Sequence, residues 1–345
     1  MPSRIFINHP FEISYQEYDL PTLAENEVHI RTLFSGISAG TEMSQYRGTS
    51  PFLSKQWDVA DRLFKESAQP KLSYPIEHFG YEEVGVVVAL GKKVNGIRIG
   101  QYIFGPWGHK TDHIADETYA KDHLMPEGLD PICGIFSHIG AVALNGIHDA
   151  HIRIGETVVV FGLGVLGQIV CQAAKASGVN VIGVDLNSSR LNMAKKYSAH
   201  ETILAGEGDT ALKIKSLTNG RGADVSIEVS GSTQALQDAI RSAAYSARVV
   251  AMGFFQGEAK GLYLGEEFHH NRINLVCSQI SGTDPELKYR WDKLRLWQTA
   301  IQLQADGLLD LQSLITHRAP YQNAADLFDL LNKNSEGVMQ SVIEF

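Results

Sequence analysis

The chain has 345 residues, more than a single hydrophobic core usually accommodates, and it therefore predicts two domains. Hydrophobic residues make up 44% of the chain and the formal net charge is −9 without any block of like charges, which argues against nucleic acid as a partner. The three cysteines, Cys133, Cys171 and Cys277, are widely separated and form no metal or redox pair, so we expect buried thiols in a reducing compartment.

The first residues are too polar for a signal-peptide core, which predicts a cytoplasmic protein whose mature chain begins near Met1. The most apolar window, Val158–Ala176, contains three glycines and changes from strand-like to helix-like patterning. Such a window does not resemble a membrane span, so no membrane association is expected.

In the N-terminal part, short apolar runs alternate with turn residues over Arg4–Arg47 and over Tyr81–Gly105. This pattern predicts a β-rich domain over residues 1–128. Between the two stretches, Gln56–Lys71 has a more helical pattern and is interpreted as an insertion or lid.

From about residue 129 the pattern changes, and strand-like and helix-like segments alternate up to residue 285. Ile139–Ile147 suits a buried helix. Predicted strands and helices then follow one another, with strands at Thr157–Phe161, Val179–Val184, Asp224–Val229 and Arg248–Met252 and helices at Gln168–Ser177, Ser188–Tyr197 and Thr233–Ser242. Such alternation predicts an α/β fold with a doubly wound parallel sheet.

The remaining residues, 286–345, are predicted to return to the first domain. They contain an amphipathic run at Leu294–Leu309 and a strand-like end at Val338–Phe345.

A glycine motif is the sharpest signal in the sequence. Gly162, Gly164 and Gly167 have the G-x-G-x-x-G spacing directly after a predicted strand and at the start of a helix. The first glycine permits a tight turn, the second lets the backbone approach a pyrophosphate, and the third lets the helix pack closely on the strand. Val165 and Leu166 lie between these glycines and belong to the same candidate site.

A carboxylate is expected about 20 residues further on, where it accepts hydrogen bonds from the ribose hydroxyls of a dinucleotide. Asp185 has this position, at the end of the next predicted strand. Its negative charge disfavours a 2′-phosphate, so NAD is the predicted cofactor, although Arg190 lies nearby. Ser230, which follows a later strand, completes the candidate cofactor-binding residues.

Two further segments carry a resemblance to a known family. Ser35–Glu42 reads SGISAGTE and is similar to a loop with the pattern G-I-C-G-T-D, and Gly80–Gly85 reads GYEEVG and is similar to G-H-E-x-x-G. With the glycine motif they resemble the medium-chain dehydrogenase/reductase superfamily over essentially the whole chain. This resemblance implies a GroES-like β-rich catalytic domain followed by a Rossmann domain.

Other motifs resemble one branch of that superfamily, the bacteriochlorophyllide dehydrogenase-like proteins. They are ALNGI at Ala143–Ile147, GEEFHHNR at Gly265–Arg272 and LITHRAP at Leu314–Pro320. The branch does not specify a substrate.

In zinc-dependent relatives the cysteine and histidine of the two loops hold a catalytic zinc ion. Here Ser38 replaces the cysteine and Tyr81 replaces the histidine, and neither hydroxyl is a good zinc ligand. His138 aligns with the third ligand, and Glu42 or Glu82 is the remaining candidate for an atypical site. We therefore predict that the chain binds no catalytic metal.

Without zinc, the substrate oxygen requires hydrogen-bond donors and a general base. The resemblance implies that Thr41 relays the substrate proton. Tyr81 is a candidate donor to a carbonyl oxygen and His138 a candidate base. Ser38 and Glu42 complete the candidate catalytic set, and each of these residues also has a purely structural interpretation as a turn or core residue.

Two further histidines, His109 and His113, have a spacing that would align them on a helix, but the segment contains glycine and precedes a predicted strand. We expect them at the surface or in a cleft.

The leading hypothesis is an NAD(H)-dependent oxidoreductase that interconverts a small-molecule alcohol with a ketone or aldehyde. A zinc-free quinone or enone reductase and a non-catalytic NAD(H)-binding sensor remain alternatives. The resemblance also implies a homodimer that pairs through an edge strand near Asn274–Ser278.

Overall fold

The computed structural model describes residues 1–67, 70 and 72–345, which fold as two units. The first unit contains residues 1–138 and 312–345, and the second contains residues 139–311. The sequence predicts boundaries after residues 128 and 285, whereas in the structure residues 129–138 belong to the first unit and residues 286–311 to the second.

The N-terminal part of the first unit is rich in β-strands, as the alternating pattern predicts. Its strands and helices are β1 (Ser3–His9), β2 (Glu12–Glu17), β3 (Glu27–Ile37), α1 (Thr41–Tyr46), β4 (Lys55–Asp58), β5 (Leu63–Glu66), β6 (Glu83–Leu90), β7 (Tyr102–Gly105), β8 (Asp112–Asp116) and α2 (Glu117–Asp122).

The second unit alternates strands and helices. Its elements are α3 (Ser137–Ala150, which begins in the first unit), β9 (Thr157–Phe161), α4 (Val165–Ala176), β10 (Asn180–Asp185), α5 (Ser188–Tyr197), β11 (Glu201–Leu204), α6 (Thr210–Leu217), β12 (Ala223–Glu228), α7 (Thr233–Ser242), β13 (Ala243–Ala251), β14 (Asn274–Cys277) and α8 (Lys293–Ala305). Within the described residues its sheet has the strand order β11-β10-β9-β12-β13-β14, with every neighbouring pair parallel. This is a doubly wound Rossmann sheet.

The chain then returns to the first unit through β15 (Ile315–Pro320), α9 (Ala324–Lys333) and β16 (Gln340–Glu344). The sheet of this unit has the order β15-β16-β3-β6-β7, and β8 also pairs with β3. The long strand β3 therefore holds the centre of the sheet, between the N-terminal and the C-terminal parts of the chain.

The residues that pack inside each unit explain these elements. Around the sheet of the second unit, Val159, Phe161 and Val249 are fully or almost fully buried together with Ile240 of α7. Parallel strands covered by helices on both faces require such continuous apolar runs. Two clusters of buried residues form the core of the first unit, one of them between β1, α1 and α9.

The helix predicted over Gln56–Lys71 is wrong within the described residues. Lys55–Asp58 and Leu63–Glu66 pair as an antiparallel hairpin, in which Trp57 lies opposite Phe64 with ring centroids 5.0 Å apart. Cross-strand aromatic contacts favour the extended backbone over a helix. Lys71 itself lies outside the described residues.

Smaller differences concern the ends of elements and one cysteine. Helix α4 begins at Val165 rather than at Gln168, directly after Gly164. Cys133 and Cys171 are buried as expected, whereas Cys277 is exposed because β14 lies at the edge of the sheet. Among the helices of the described residues, none combines the length and the apolar character that a membrane span needs.

Candidate active site

The glycine turn of the second unit has the geometry that the sequence motif predicts. Gly162 follows β9 with φ of +91°, a value that side chains disfavour. A Cβ atom at Gly167 would lie 1.8 Å from the carbonyl oxygen of Gly162. The helix therefore packs so closely on the turn that any side chain at position 167 would clash. A Cβ atom at Gly164 would meet nothing within 4 Å, which leaves open space in front of the turn.

Helix α4 starts at this turn without a side-chain cap on Gly164. The first backbone N–H groups of a helix have no intrahelical acceptor, and they attract negative charge. Val165, Leu166 and Gly167 form this first turn. The turn therefore suits a phosphate group.

Asp185 ends β10, next to the glycine turn. Its Oδ2 accepts a hydrogen bond from the Leu163 N–H at 2.6 Å, and its Oδ1 accepts one from the Asn187 N–H at 2.8 Å. A guanidinium nitrogen of Arg190 lies 4.0 Å from Oδ2. The carboxylate is therefore fixed in place beside the turn, with one basic group close to it.

Ser230 lies across the turn from Gly162, after β12. A Cβ atom at Gly162 would lie 2.7 Å from the Cβ of Ser230, so the ends of β9 and β12 approach closely here. Glu228, which the sequence analysis missed, accepts hydrogen bonds from the N–H groups of Ser230 and Gly231 at 2.7 and 3.1 Å. Burial raises the pKa of this carboxyl.

In the first unit, strand register brings the motif residues together. In the antiparallel pair of β3 and β6, Ser35 lies opposite Glu83, so the residue after β3 and the residues before β6 are neighbours. In the pair of β3 and β16, Ile37 lies opposite Ser341. Ser38, Tyr81 and Gln340 therefore meet at one end of the sheet, although the sequence separates them widely.

The hydroxyl groups of this end form a cluster. Tyr81 Oη donates a hydrogen bond to Ser38 Oγ at 2.5 Å. Thr41, the first residue of α1, also hydrogen-bonds to Tyr81. The imidazole of His138 lies 4.7 Å from the Tyr81 ring, measured between centroids, and is partly exposed. Four of the five candidate catalytic residues are thus in one place.

Burial raises the pKa of Tyr81, and the nearby carboxyl groups of Glu82 and Glu42 raise it further. The hydrogen bonds with Ser38 and Thr41 act in the opposite direction but are weaker. Tyr81 is therefore a neutral hydroxyl near pH 7, suited to donating a hydrogen bond rather than to accepting a proton.

Glu42, the fifth candidate, does not face solvent. It is 1% exposed, and its Oε1 accepts the N–H of Ser38 at 3.1 Å. Its Oε2 lies 2.8 Å from Nε2 of His109. Because both oxygens are engaged inside the protein, Glu42 is suited to holding its neighbours rather than to touching a substrate.

His109 does not lie at the surface, the first of the two locations that the sequence predicts for it. It is 2% exposed and packs edge-on against Phe79, with ring centroids 4.8 Å apart. The adjacent Glu42 raises its pKa despite burial, which by itself acts the other way. His113 is also largely shielded, because it stacks on Trp107 with ring centroids 5.1 Å apart.

Two more buried glutamates surround the cluster. Glu83 accepts hydrogen bonds from the N–H of Trp107 at 2.7 Å and from Ser35 Oγ at 3.0 Å, and burial raises its pKa to about 7. Glu82 accepts a hydrogen bond from Gln340 Nε2 at 3.2 Å. Burial and the nearby acids raise the pKa of Glu82 well above its ordinary value.

Ser38 and Tyr81 offer hydroxyl groups, which are poor ligands for a zinc ion. Where zinc-dependent relatives have thiolate and imidazole ligands, this chain has two hydroxyls bonded to one another, and that of Tyr81 stays protonated. Among the described residues, no three or more His, Cys, Asp and Glu side chains are grouped so that they could hold a metal ion.

Sequence reasoning missed Ser35, Glu83, His109 and Gln340 as parts of this region. Glu42 and His109 are 67 residues apart, and Glu82 and Gln340 are 258 residues apart. Contacts between residues so far apart in the chain cannot be predicted from the spacing of residues in a short motif. The acidic pair Glu82–Glu83, at the start of the buried strand β6, was the only available signal.

Comparison with known proteins gives three kinds of match. The family model described as "Zinc-binding dehydrogenase" matches residues 165–294. D-guloside 3-dehydrogenase from Shigella flexneri is 31% identical over 319 residues, which cover 90% of this chain and 91% of that protein.

Solved structures share the fold at lower identity. A protein described as a zinc-binding dehydrogenase from Sinorhizobium meliloti, bound to NADP, has a TM-score of 0.80 at 20% identity and covers 100% of this chain and 99% of its own. An alcohol dehydrogenase from Escherichia coli CFT073, complexed with NADH, has a TM-score of 0.77 at 20% identity. The match covers 100% of this chain and 99% of that one.

Proposed function

Because the chain belongs to the zinc-binding dehydrogenase family, and is thus an oxidoreductase of alcohols, we propose that it oxidises a secondary hydroxyl of a carbohydrate or polyol with NAD and without catalytic zinc. One observation carries this proposal above the others: Tyr81 and Ser38 are hydrogen-bonded to one another where zinc-dependent relatives hold the metal.

The glycine turn and the start of α4 support a nicotinamide dinucleotide as cofactor. Gly162, Gly164 and Gly167 leave room for a pyrophosphate, and the first turn of α4 offers N–H groups to its charge. When bound, the nicotinamide supplies the acceptor for the substrate hydride.

Asp185 supports NAD over NADP. Its carboxylate is held beside the turn, where it would accept hydrogen bonds from ribose hydroxyls and repel a 2′-phosphate. Arg190 lowers this repulsion, since its guanidinium is 4.0 Å from the carboxylate. We expect a preference for NAD rather than complete exclusion of NADP.

The hydroxyl cluster takes the place of the metal in this proposal. When substrate is bound, the Tyr81 O–H donates to the substrate oxygen instead of to Ser38 Oγ, and the Ser38 hydroxyl, which is itself a donor, then donates to Tyr81 Oη. Thr41 also holds the Tyr81 hydroxyl. His138 accepts the proton of the substrate hydroxyl, because its imidazole lies beside Tyr81 and is partly exposed.

The substrate class rests on the most informative relative. D-guloside 3-dehydrogenase acts, by its name, on a sugar derivative. The match covers 90% of this chain. The narrower placement in the bacteriochlorophyllide dehydrogenase-like branch stays a prediction from sequence motifs.

We also propose a cytoplasmic homodimer. The edge strand β14 has no partner on its outer side among the described residues, and Leu275 on it is 39% exposed. Exposed edge strands are natural sites of pairing between chains. Light scattering of the purified protein would give the mass of the assembly.

The proposed function is tested with protein purified without added metal. Glycosides, polyols and simple secondary alcohols are each mixed with NAD or NADP, and formation of the reduced cofactor is followed by absorbance, with and without EDTA. We expect turnover of a carbohydrate hydroxyl, a preference for NAD and no effect of EDTA.

Turnover that EDTA abolishes and zinc restores would overturn the metal-free mechanism. Reduction of quinones or enones with NADPH, without any alcohol oxidation, would favour the reductase alternative.

A further inference from the structure

His109 occupies an unusual position for a histidine, inside the first unit with both ring nitrogens engaged. Nε2 lies 2.8 Å from Oε2 of Glu42, and Nδ1 lies 2.6 Å from Oγ of Ser35. Phe79 packs against the ring edge-on. The imidazole is therefore fixed in both orientation and position.

The pair of Glu42 and His109 is buried, and the carboxyl group of Glu42 raises the pKa of the His109 imidazole, which favours its charged form. Both side chains are at most 1% exposed, and within the described part of the chain His109 is the only basic side chain within 4.0 Å of Glu42. Removing one partner of such a pair leaves an uncompensated buried charge, whereas an apolar pair of similar volume would pack without that penalty. Packing alone therefore does not explain the pair.

Glu42 connects His109 to the hydroxyl cluster. Its Oε1 accepts the N–H of Ser38 at 3.1 Å, and Oγ of the same serine accepts the hydrogen bond from Tyr81. Thr41, which also bonds to Tyr81, is the neighbour of Glu42 in the chain. A shift of the Glu42 carboxylate would therefore move the groups that hold the Tyr81 hydroxyl.

We propose that His109 is a positioning residue of the reaction: it holds the Glu42 carboxylate, which holds the Ser38 turn and thereby the Tyr81 hydroxyl that meets the substrate. This inference rests on the proposed function of the hydroxyl cluster. His109 itself touches no substrate, because its side chain is fully buried.

Two substitutions at the same position separate positioning from loss of the imidazole. In His109→Gln the amide nitrogen reaches the place of Nε2 and still donates to Glu42, whereas in His109→Asn the shorter amide reaches only the place of Nδ1. His113→Gln is the matched control, because His113 is a shielded histidine of the same unit that stacks on Trp107 and forms no ion pair with the described residues.

We expect His109→Asn to lower kcat by about 100-fold, the loss that a misplacement of reacting groups by about 1 Å can cause, without a change in the Kd for NADH. His109→Gln should retain most of the activity, and His113→Gln should match the wild type. Equal kcat in His109→Asn and His113→Gln would overturn the proposal, and so would equal losses in His109→Asn and His109→Gln.

A second measurement does not depend on activity. Hydrogen exchange of the peptide that contains the Ser38 amide should be faster in His109→Asn than in His113→Gln, because Glu42 no longer holds that amide. Unchanged exchange would contradict the positioning role. A wild-type protein without any turnover would contradict the proposed function instead, and the exchange experiment would still decide the role of His109.

If His109→Asn fails to fold, the variant Glu42→Gln keeps the proposal testable, because glutamine at position 42 removes the buried carboxylate charge. In that background, adding His109→Asn should lower kcat no further. A further loss equal to that in the original background would mean that His109 does not act through Glu42.

Discussion

The hydroxyl of Tyr81 donates a hydrogen bond to the hydroxyl of Ser38 over 2.5 Å, although the two residues are 43 positions apart in the sequence. The contact exists because β3 ends at Ile37 and the antiparallel β6 begins at Glu83, so the flanking residues are neighbours. In the proposed function, this pair replaces the metal as the group that meets the substrate oxygen.

Replacing Tyr81 by phenylalanine should lower kcat strongly. The ring remains to pack beside His138, but the donor to the substrate oxygen is lost, and loss of one such donor costs about 100-fold or more in kcat. Steady-state kinetics with NAD would measure the effect. Tyr18→Phe is the control, because the Tyr18 hydroxyl donates to the backbone carbonyl of Asp112 and does not belong to the hydroxyl cluster. Similar rates for the two variants would contradict the assignment of Tyr81.

Alanine at two glycines of the cofactor turn should have different effects. Gly167→Ala places a Cβ atom 1.8 Å from the carbonyl oxygen of Gly162 and should destabilise the second unit by about 1–3 kcal/mol. Gly164→Ala meets no atom within 4 Å and should leave the melting temperature unchanged. It should weaken NADH binding by about tenfold, or about 1.4 kcal/mol, since a methyl group would stand where the pyrophosphate approaches. Unchanged NADH affinity in Gly164→Ala would place the phosphates elsewhere.

Replacing Asp185 by asparagine should shift cofactor preference. Asparagine keeps one acceptor oxygen for the Leu163 N–H but removes the charge that repels a 2′-phosphate. We expect the ratio of kcat/KM for NADP over NAD to rise by about tenfold to 100-fold. Adding Arg190→Gln should remove much of this gain, because Arg190 is the nearby cation. An unchanged ratio would show that Asp185 does not select the cofactor.

Because His113 is shielded in the folded protein, the free energy of unfolding of the first unit should fall in acid. Burial lowers its pKa from 6.5 to about 3, and Lys110 adds to the effect. Between these values the unfolded chain binds a proton that the folded chain does not, so stability is complete above about pH 6.5 and falls by about 1.4 kcal/mol per pH unit below it. Urea denaturation at about pH 7.5 and about pH 5.5 would measure this slope, which should be smaller in His113→Gln. Equal slopes in both proteins would mean that His113 takes up its proton at the same pH in the folded protein as in the unfolded chain.

Local sequence patterns determined the cofactor side of this protein. Gly162, Gly164 and Gly167 lie within six residues of chain, and their spacing has one structural use, a turn between a strand and a helix. The strand Thr157–Phe161 and the helices Ser188–Tyr197 and Thr233–Ser242 have the predicted bounds, because alternating apolar patterns define them over short distances. The fold class followed from that alternation and from the resemblance.

The tertiary structure alone decided the surroundings of the hydroxyl cluster. Gln340 reaches Glu82 because β16 pairs with β3. The chain between β7 and β8 brings Nε2 of His109 to 2.8 Å from Oε2 of Glu42. A histidine in a glycine-containing segment looks exposed when only its neighbours in sequence are considered. Its burial and its pKa depend on side chains from other elements, since electrostatic and packing interactions act through space and not along the chain.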